Sequence, residues 1–406
     1  MDKRKIIFAG IFLIVCVAVG FLLYWVFFAK KEPTTPAEKP GAEAPAGQFP
    51  AAGAGQPTTV TKPGKLPTAV TKPITPKTVV PKIAPAYPIT SKIDASILGA
   101  GKDTVGSAKF YNTTDGKFYR LGKDGKVAAL SDEVFFNVQN VTWSATKNES
   151  IIEYPDGANI YYNFDTKKQV TLPKHWQEFA FSPLGDKIVS KSVGLAPENR
   201  WLITADPQGK SIKMIEPMGE NADKVVVNWS PNGQIIATSR TGEAQGADRE
   251  EILFVGLQGE NFRSIIVEGR GFESQWSPTG KKLMYSVFSG RSDFKPELWI
   301  VNAEGDSIGT GRKMLNLNTW SEKCAFNDDR FVYCAVPTQM QTGAGFAPGL
   351  ADNTNDKIYK IDTETGIKTE LQTDGYQVVS GMFISDDGKT LYFTDKNKIG
   401  LFGLPI

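Results

Sequence analysis

From residue 93 onward the chain repeats one short grammar of apolar and polar positions. A bulky apolar residue is followed by a polar tight turn rich in Ser, Pro, Asp and Gly, and then by a short apolar strand. The pattern reads VTWSATKNESIIEY from Val141, FAFSPLGDKIVSKS from Phe179 and VNWSPNGQIIATSR from Val227. It continues as SQWSPTGKKLMYSV from Ser274, CAFNDDRFVYCAV from Cys324 and MFISDDGKTLYFTD from Met382. The anchoring residues Trp143, Phe181, Trp229, Trp276, Phe326 and Ile384 lie 38 to 58 positions apart. In the turns, Pro presets φ and Gly accepts positive φ without a steric penalty. A third strand follows in each unit, as in Ile160–Tyr162, Trp201–Ile203 and Leu298–Ile300, and most units close on a fourth, such as Ile265–Val267.

Four antiparallel strands per unit, with the inner ones apolar on both sides, need cover on both faces of the sheet. Radial stacking of neighbouring sheets supplies that cover, so the predicted fold is all-β, a β-propeller. Five complete units run from about Val134 to Thr373. The tail from Val378 offers three strands, and residues 97–130 offer a further unit. Seven blades are expected, with six as the alternative. In the seven-blade arrangement a strand within Ile89–Ile97 completes the last blade and ties the two ends of the ring together.

The W/F-S-P-x-G-x-x-I signature, clear at Phe181, Trp229 and Trp276 and degraded at the other three positions, resembles the TolB-like, WD-type (PD40-like) propeller repeats of bacterial envelope proteins. The resemblance covers everything after residue 92. It implies an extracytoplasmic, non-catalytic binding platform. The family's namesake is soluble and periplasmic, whereas this chain begins quite differently.

Residues 6–29 contain no charged side chain across 24 positions. As a helix this run reaches about 36 Å, enough to span a bilayer core. Lys3, Arg4 and Lys5 precede it, and Tyr24 and Trp25 lie where an interface belongs. It is longer than the apolar core of a cleaved signal peptide. A single retained anchor is therefore expected, with residues 1–5 in the cytoplasm and the propeller outside, at the inner membrane of a bacterial envelope. Residues 30–92 hold 13 of the 25 prolines and no apolar period. They read as a disordered linker whose basic second half is suited to weak contact with anionic wall polymer. The propeller is assigned to 93–406.

Composition excludes several functions. Lys+Arg 46 against Asp+Glu 44 gives a net charge of +2, without the basic excess of a nucleic-acid binder. A single histidine, His175, and three cysteines leave no zinc set, and no cofactor or metal is expected. No G-x-S-x-G nucleophile elbow occurs, so no hydrolase is expected and the chain is read as a non-enzyme. The acidic run DNTNDK (352–357) lacks the glycine and distal acid of a calcium loop. Cys324 and Cys334 flank a turn centred on Asp329 on adjacent strands, and a symmetric register would place them within disulfide range.

The remaining signal is loop length. The second–third strand connections are long in four consecutive units: Ser192–Arg200, Arg240–Glu251, Phe288–Glu297 and Pro337–Lys357. Strand alternation puts all four on one face. Their Arg200, Arg240, Arg249, Arg291, Phe294, Met340 and Phe346 mix arginine with apolar groups, as protein-recognition surfaces do. The expected function is an envelope protein-interaction scaffold. The alternative is a small molecule or glycan bound in the central funnel.

Overall fold

The computed structural model describes residues 87–243, 245–260 and 262–406, together with Val17 and Val19. Apart from those two valines, the expected anchor (6–29) lies outside the described residues, as do Cys16 and linker residues 30–86. Among the described residues no helix is long and apolar enough to cross a membrane.

Seven four-stranded antiparallel sheets form the ring. Blade 1 spans residues 97–129, blade 2 140–172, blade 3 176–217 and blade 4 225–267; blade 5 spans 270–314 and blade 6 324–371. Blade 7 is composite. Val379–Ile384, Thr390–Asp395 and Leu401–Pro405 supply three strands, and Thr90–Ile93 pairs with Leu401–Pro405 as the fourth. The expected closure is thus present. It also moves the linker boundary drawn at 92, because Tyr87 already bridges to Thr373 and Thr90 begins a strand. Pro85 and Pro88 gave this stretch the composition of the linker, although the residues just after them pair in the sheet.

The first strands of blades 6 and 7, 7 and 1, 1 and 2, 2 and 3, and 3 and 4 touch one another around the axis. On the remaining arc the 3₁₀ turn Ser321–Lys323 contacts the first strands of blades 5 and 7. Each blade is apolar on both sides. In blade 2, Ile151 packs toward blade 3 with Trp176 and Phe181, whereas Ile152 packs toward blade 1 with Tyr111 and Phe118.

The repeat signature has a local cause. In the turns after Phe181, Trp229, Trp276 and Ile384 the serine hydroxyl accepts from the amide five positions on: Lys187 to Ser182 at 3.1 Å, Ile235 to Ser230 at 2.9 Å, Lys282 to Ser277 at 3.0 Å and Thr390 to Ser385 at 3.0 Å. In the first three the glycine between them takes φ +64° (Gly185), +79° (Gly233) or +75° (Gly280). Two of the three anchoring indoles also staple blades together. Trp143 Nε1 donates to the Gly99 carbonyl at 2.7 Å and Trp276 Nε1 to the Asn228 carbonyl at 3.2 Å.

In blade 6, Cys324 and Cys334 are register partners on adjacent strands, fully buried, and their sulfurs are bonded. Between blades 1 and 2, Lys109 is buried against Trp143 with a single partner, the Ser144 carbonyl at 2.9 Å. Burial holds its ammonium down to about 8 from an ordinary 10.5, with Asp103 and Glu149 opposing and Arg120 assisting.

Two outcomes are expected. Thiol titration of the unreduced, denatured chain gives one thiol per molecule, rising to three on reduction, and Cys334→Ser costs about 2–3 kcal/mol in denaturant unfolding. Three thiols before reduction would exclude the bridge. Between about pH 8 and 10.5 the unfolded chain keeps the Lys109 proton and the folded one releases it, so stability rises with pH. From pH 7.5 to 9.5 the gain is about 1–2 kcal/mol, and Lys109→Met flattens it. Equal slopes in both proteins would remove Lys109 as the cause.

Candidate functional site

The four long connections lie on one side of the ring, with the blade-to-blade segments, as the alternation of strand direction requires. Those of blades 4, 5 and 6 interlock. The Gly290 amide donates to Asp248 Oδ2 at 3.2 Å, joining blade 5 to blade 4, and Arg270 lies 3.6 Å from the other oxygen of Asp248. The Gly343 amide donates to the Asp293 carbonyl at 2.9 Å and the Gly345 amide to the Phe294 carbonyl at 2.8 Å, joining blade 6 to blade 5.

Where these loops meet, three phenyl rings cluster. Phe346 lies 4.5 Å from Phe288 and 5.1 Å from Phe294, with the Arg270 guanidinium 5.6 Å above it. Phe346 nevertheless remains 57% exposed. The geometry has a backbone cost: Asp293 and Phe294 sit at φ +54° and +55°. For a side chain as bulky as Phe294 that region is unfavourable by about 1–2 kcal/mol. Its amide bond to the Ser289 carbonyl at 2.9 Å and the Gly345 bond hold it there.

The seven residues singled out from the sequence divide by role. Phe294 and Phe346 belong to the aromatic cluster. Arg200 is engaged within its own blade and the next connection, donating to the carbonyls of Gly194 (3.1 Å), Leu195 (3.1 Å) and Gly219 (3.4 Å) and pairing with Glu220. Arg249 pairs with Glu268 at 2.9 Å and Arg291 with Glu297 at 2.8 Å, the latter also lying over the Trp299 ring. Arg240 stands by Glu250, whose carboxyl burial pushes up against the pull of Arg240 and Arg270. Met340 turns inward onto Trp320, Ala344 and Ala351. The two carboxylates within residues 352–357 are turned to different partners. Asp352 pairs with Lys396, and Asp356 with Lys323. His175 is exposed, and among the described residues no three metal-ligating side chains come together.

Arg270, Phe288, Asp248 and Gly345 were not singled out from sequence. The Phe288–Phe294–Phe346 spacing in two long loops was the available signal. Below the loops lies a buried ion pair. Lys323 Nζ contacts the Asp356 carboxylate at 2.8 and 2.7 Å, and the Val379 amide donates to the same group at 2.7 Å, binding blade 6 to blade 7. Burial pushes the Asp356 carboxyl up and the Lys323 ammonium down, each offset by the partner's charge.

The first strands of blades 1, 3, 5 and 7 carry bulges. Bulges re-aim side chains at rims. That of blade 3 includes Glu178 at φ +53°, and that of blade 5 spans Arg270 to Glu273 with Gly271 at φ +68°.

A Cβ at Gly345 would lie 2.4 Å from the Phe288 ring. Gly345→Ala is therefore expected to destabilise the protein by about 1–3 kcal/mol and to speed hydrogen exchange at residues 341–346. Unchanged exchange there would show that the loops do not depend on this contact.

No protein-family model matches the chain, and no curated protein sequence matches it. Solved structures share its fold at low identity. It is similar to an oligogalacturonate lyase from Vibrio parahaemolyticus (TM-score 0.53, 11% identity, 78% of this chain and 93% of that one). It is also similar to the Myceliophteria thermophila Cps50 (Swd1) β-propeller domain (TM-score 0.52, 10% identity, 77% and 97%). The tricorn protease aligns with TM-score 0.49 and 12% identity over 80% of this chain, which spans only 34% of the protease chain. What the first two likenesses show is the propeller fold alone.

Proposed function

We propose that this chain is a membrane-anchored, extracytoplasmic propeller that holds a protein partner on its loop-bearing face and performs no catalysis. The observation carrying this reading is Phe346. An aromatic ring left more than half exposed, yet fixed by two neighbouring rings, a guanidinium and backbone bonds from an adjacent loop, has the character of an interface anchor. Rigid presentation lowers the entropy lost on binding, so a small cluster contributes more affinity than a mobile one of equal area.

Location rests on the sequence: the uncharged run at residues 6–29, its basic N-terminal flank and the likeness of the repeats to those of envelope proteins. The Cys324–Cys334 bond agrees with an oxidising compartment. The non-catalytic reading rests on the absence of a nucleophile elbow from the sequence and on the pairing of Arg249, Arg291 and Asp352 with Glu268, Glu297 and Lys396.

Chemical crosslinking in intact membranes followed by capture of the full chain tests the proposal. Phe346→Ser should reduce the crosslinked adduct at least fivefold, and replacing 338–355 by a short turn should abolish it, both with the thermal transition retained. An adduct undiminished in the loop replacement would refute docking on this face.

A further inference from the structure

Besides Phe346, the loop-bearing face presents a track of exposed apolar side chains on the segments of blades 6 and 7. Leu350, Tyr376 and Ile399 are exposed, on the long loop of blade 6, the connection to blade 7 and the last loop of blade 7. Hydrogen bonds tie these segments together. The Tyr376 hydroxyl donates to the Asn353 carbonyl at 2.6 Å, Asn397 to the Asp352 carbonyl at 3.1 Å, and Lys398 to the carbonyl of Tyr376. Ile399 then lines a cleft of about 670 Å³ between blades 7 and 1, together with Ser380, Met382 and Glu322. Glu322 also borders a second cleft of about 330 Å³, where Glu273 stands on the bulged strand of blade 5. Concavities of this size accept a side chain and its flanking backbone rather than a flat surface.

The charges at the inner end are one-sided. Burial, together with the charge of Glu322, pushes the Glu273 carboxyl up. Among the described residues neither glutamate forms an ion pair. Of the neighbouring cations, Lys323 is paired with Asp356 and Lys396 with Asp352, whereas Lys398 is turned to the Tyr376 carbonyl and the Phe402 ring. Across the ring, Lys191 is held by Glu178 and by the carbonyls of Ala222 and Val225.

We infer that track and cleft together bind an extended segment of a partner protein in which a lysine or arginine has apolar residues two positions to either side, on its own face. The basic side chain reaches Glu322 and Glu273, and its apolar neighbours lie along Ile399, Tyr376, Leu350 and Phe346. This rests on the docking reading above and names the chemistry of the partner. Charge complementarity selects the occupant: an acidic segment would meet two uncompensated carboxylates, and an uncharged one would desolvate them without replacement.

The test titrates the full chain in detergent micelles with fluorescein-labelled Leu-Gly-Lys-Gly-Leu and Leu-Gly-Glu-Gly-Leu, read by anisotropy against empty micelles. The lysine peptide should bind at least tenfold more tightly than the glutamate peptide and weaken as salt is raised. A Glu322→Gln/Glu273→Gln double variant should lose at least tenfold and Phe346→Ser at least threefold. Glu304→Gln, on the opposite face, should change nothing. Equal binding of the two peptides, or wild-type binding by the double variant, overturns the inference. So does displacement by spermidine whose own affinity ignores Phe346→Ser, since that marks a free-cation site. In the membrane crosslinking assay, an adduct kept by the double variant but lost on loop replacement leaves docking standing and removes the basic segment. An adduct kept by both removes docking itself.

Discussion

A blade of this protein cannot stand alone. Its middle strands carry apolar side chains on both faces, so Ile151 and Ile152, adjacent in one strand, are each fully buried on opposite sides. Burial on both sides is met only when every blade has two neighbours, and that holds only if the ring is closed. Closure falls to the four residues Thr90–Ile93, which complete blade 7 from the opposite end of the described chain. Without them the edge of Leu401–Pro405 would be unpaired, a template for association with another chain. The strand is held by more than pairing. Ile93 is buried with Phe110 and Leu401, and Tyr87 and Ile89 pack on the core between blades 6 and 7.

Once closed, the disc has two unlike faces. On one, most first–second turns are fixed by a serine and a glycine, and some also by the next blade, so there is little room for variation. Lys147 reaches the Gly185 carbonyl at 2.6 Å, and Asn232 the Gly280 carbonyl at 3.4 Å. On the other, connections can lengthen without disturbing the ring, because both ends of each loop are held in a rigid sheet. The loops of blades 4 to 6 are nonetheless ordered against one another. Such order would let the docking proposed above select by fixed shape and charge rather than by folding upon contact.

How much of this was legible depended on the distance over which each feature is decided. The turn motif is settled within six residues by Ser182, Gly185 and Lys187 or their equivalents, so it could be read directly, and with its degraded copies it marked six of the seven blades. The Cys324–Cys334 register followed because one symmetric turn determines it. The destinations of long side chains could not be read. Arg200, Arg249 and Arg291 stood out as arginines in loops, but their carboxylates belong to Glu220, Glu268 and Glu297, and nothing local announces those partners. The bulges at Glu178 and Glu273 were invisible for a related reason. A bulge is a mismatch between two strands, and neither strand records it alone.

The buried charges beneath the loop face belong to the same problem of position. An ion pair as enclosed as Lys323–Asp356 brings little net stability, since desolvation offsets the attraction. What it supplies is direction. Asp356 ends the long loop of blade 6, Lys323 precedes the first strand of the same blade, and the Val379 amide begins blade 7, so one carboxylate fixes three segments at a point. Apolar residues there could fill the volume but would not orient the Val379 amide. The first strand of blade 6 is short, only Cys324–Phe326, and the turn Ser321–Lys323 takes the place of its missing start. That turn also carries Glu322 into the axial clefts. The pair that holds the turn in place therefore also sets where the free carboxylate stands, and the shape of the face follows from charges its own loops conceal.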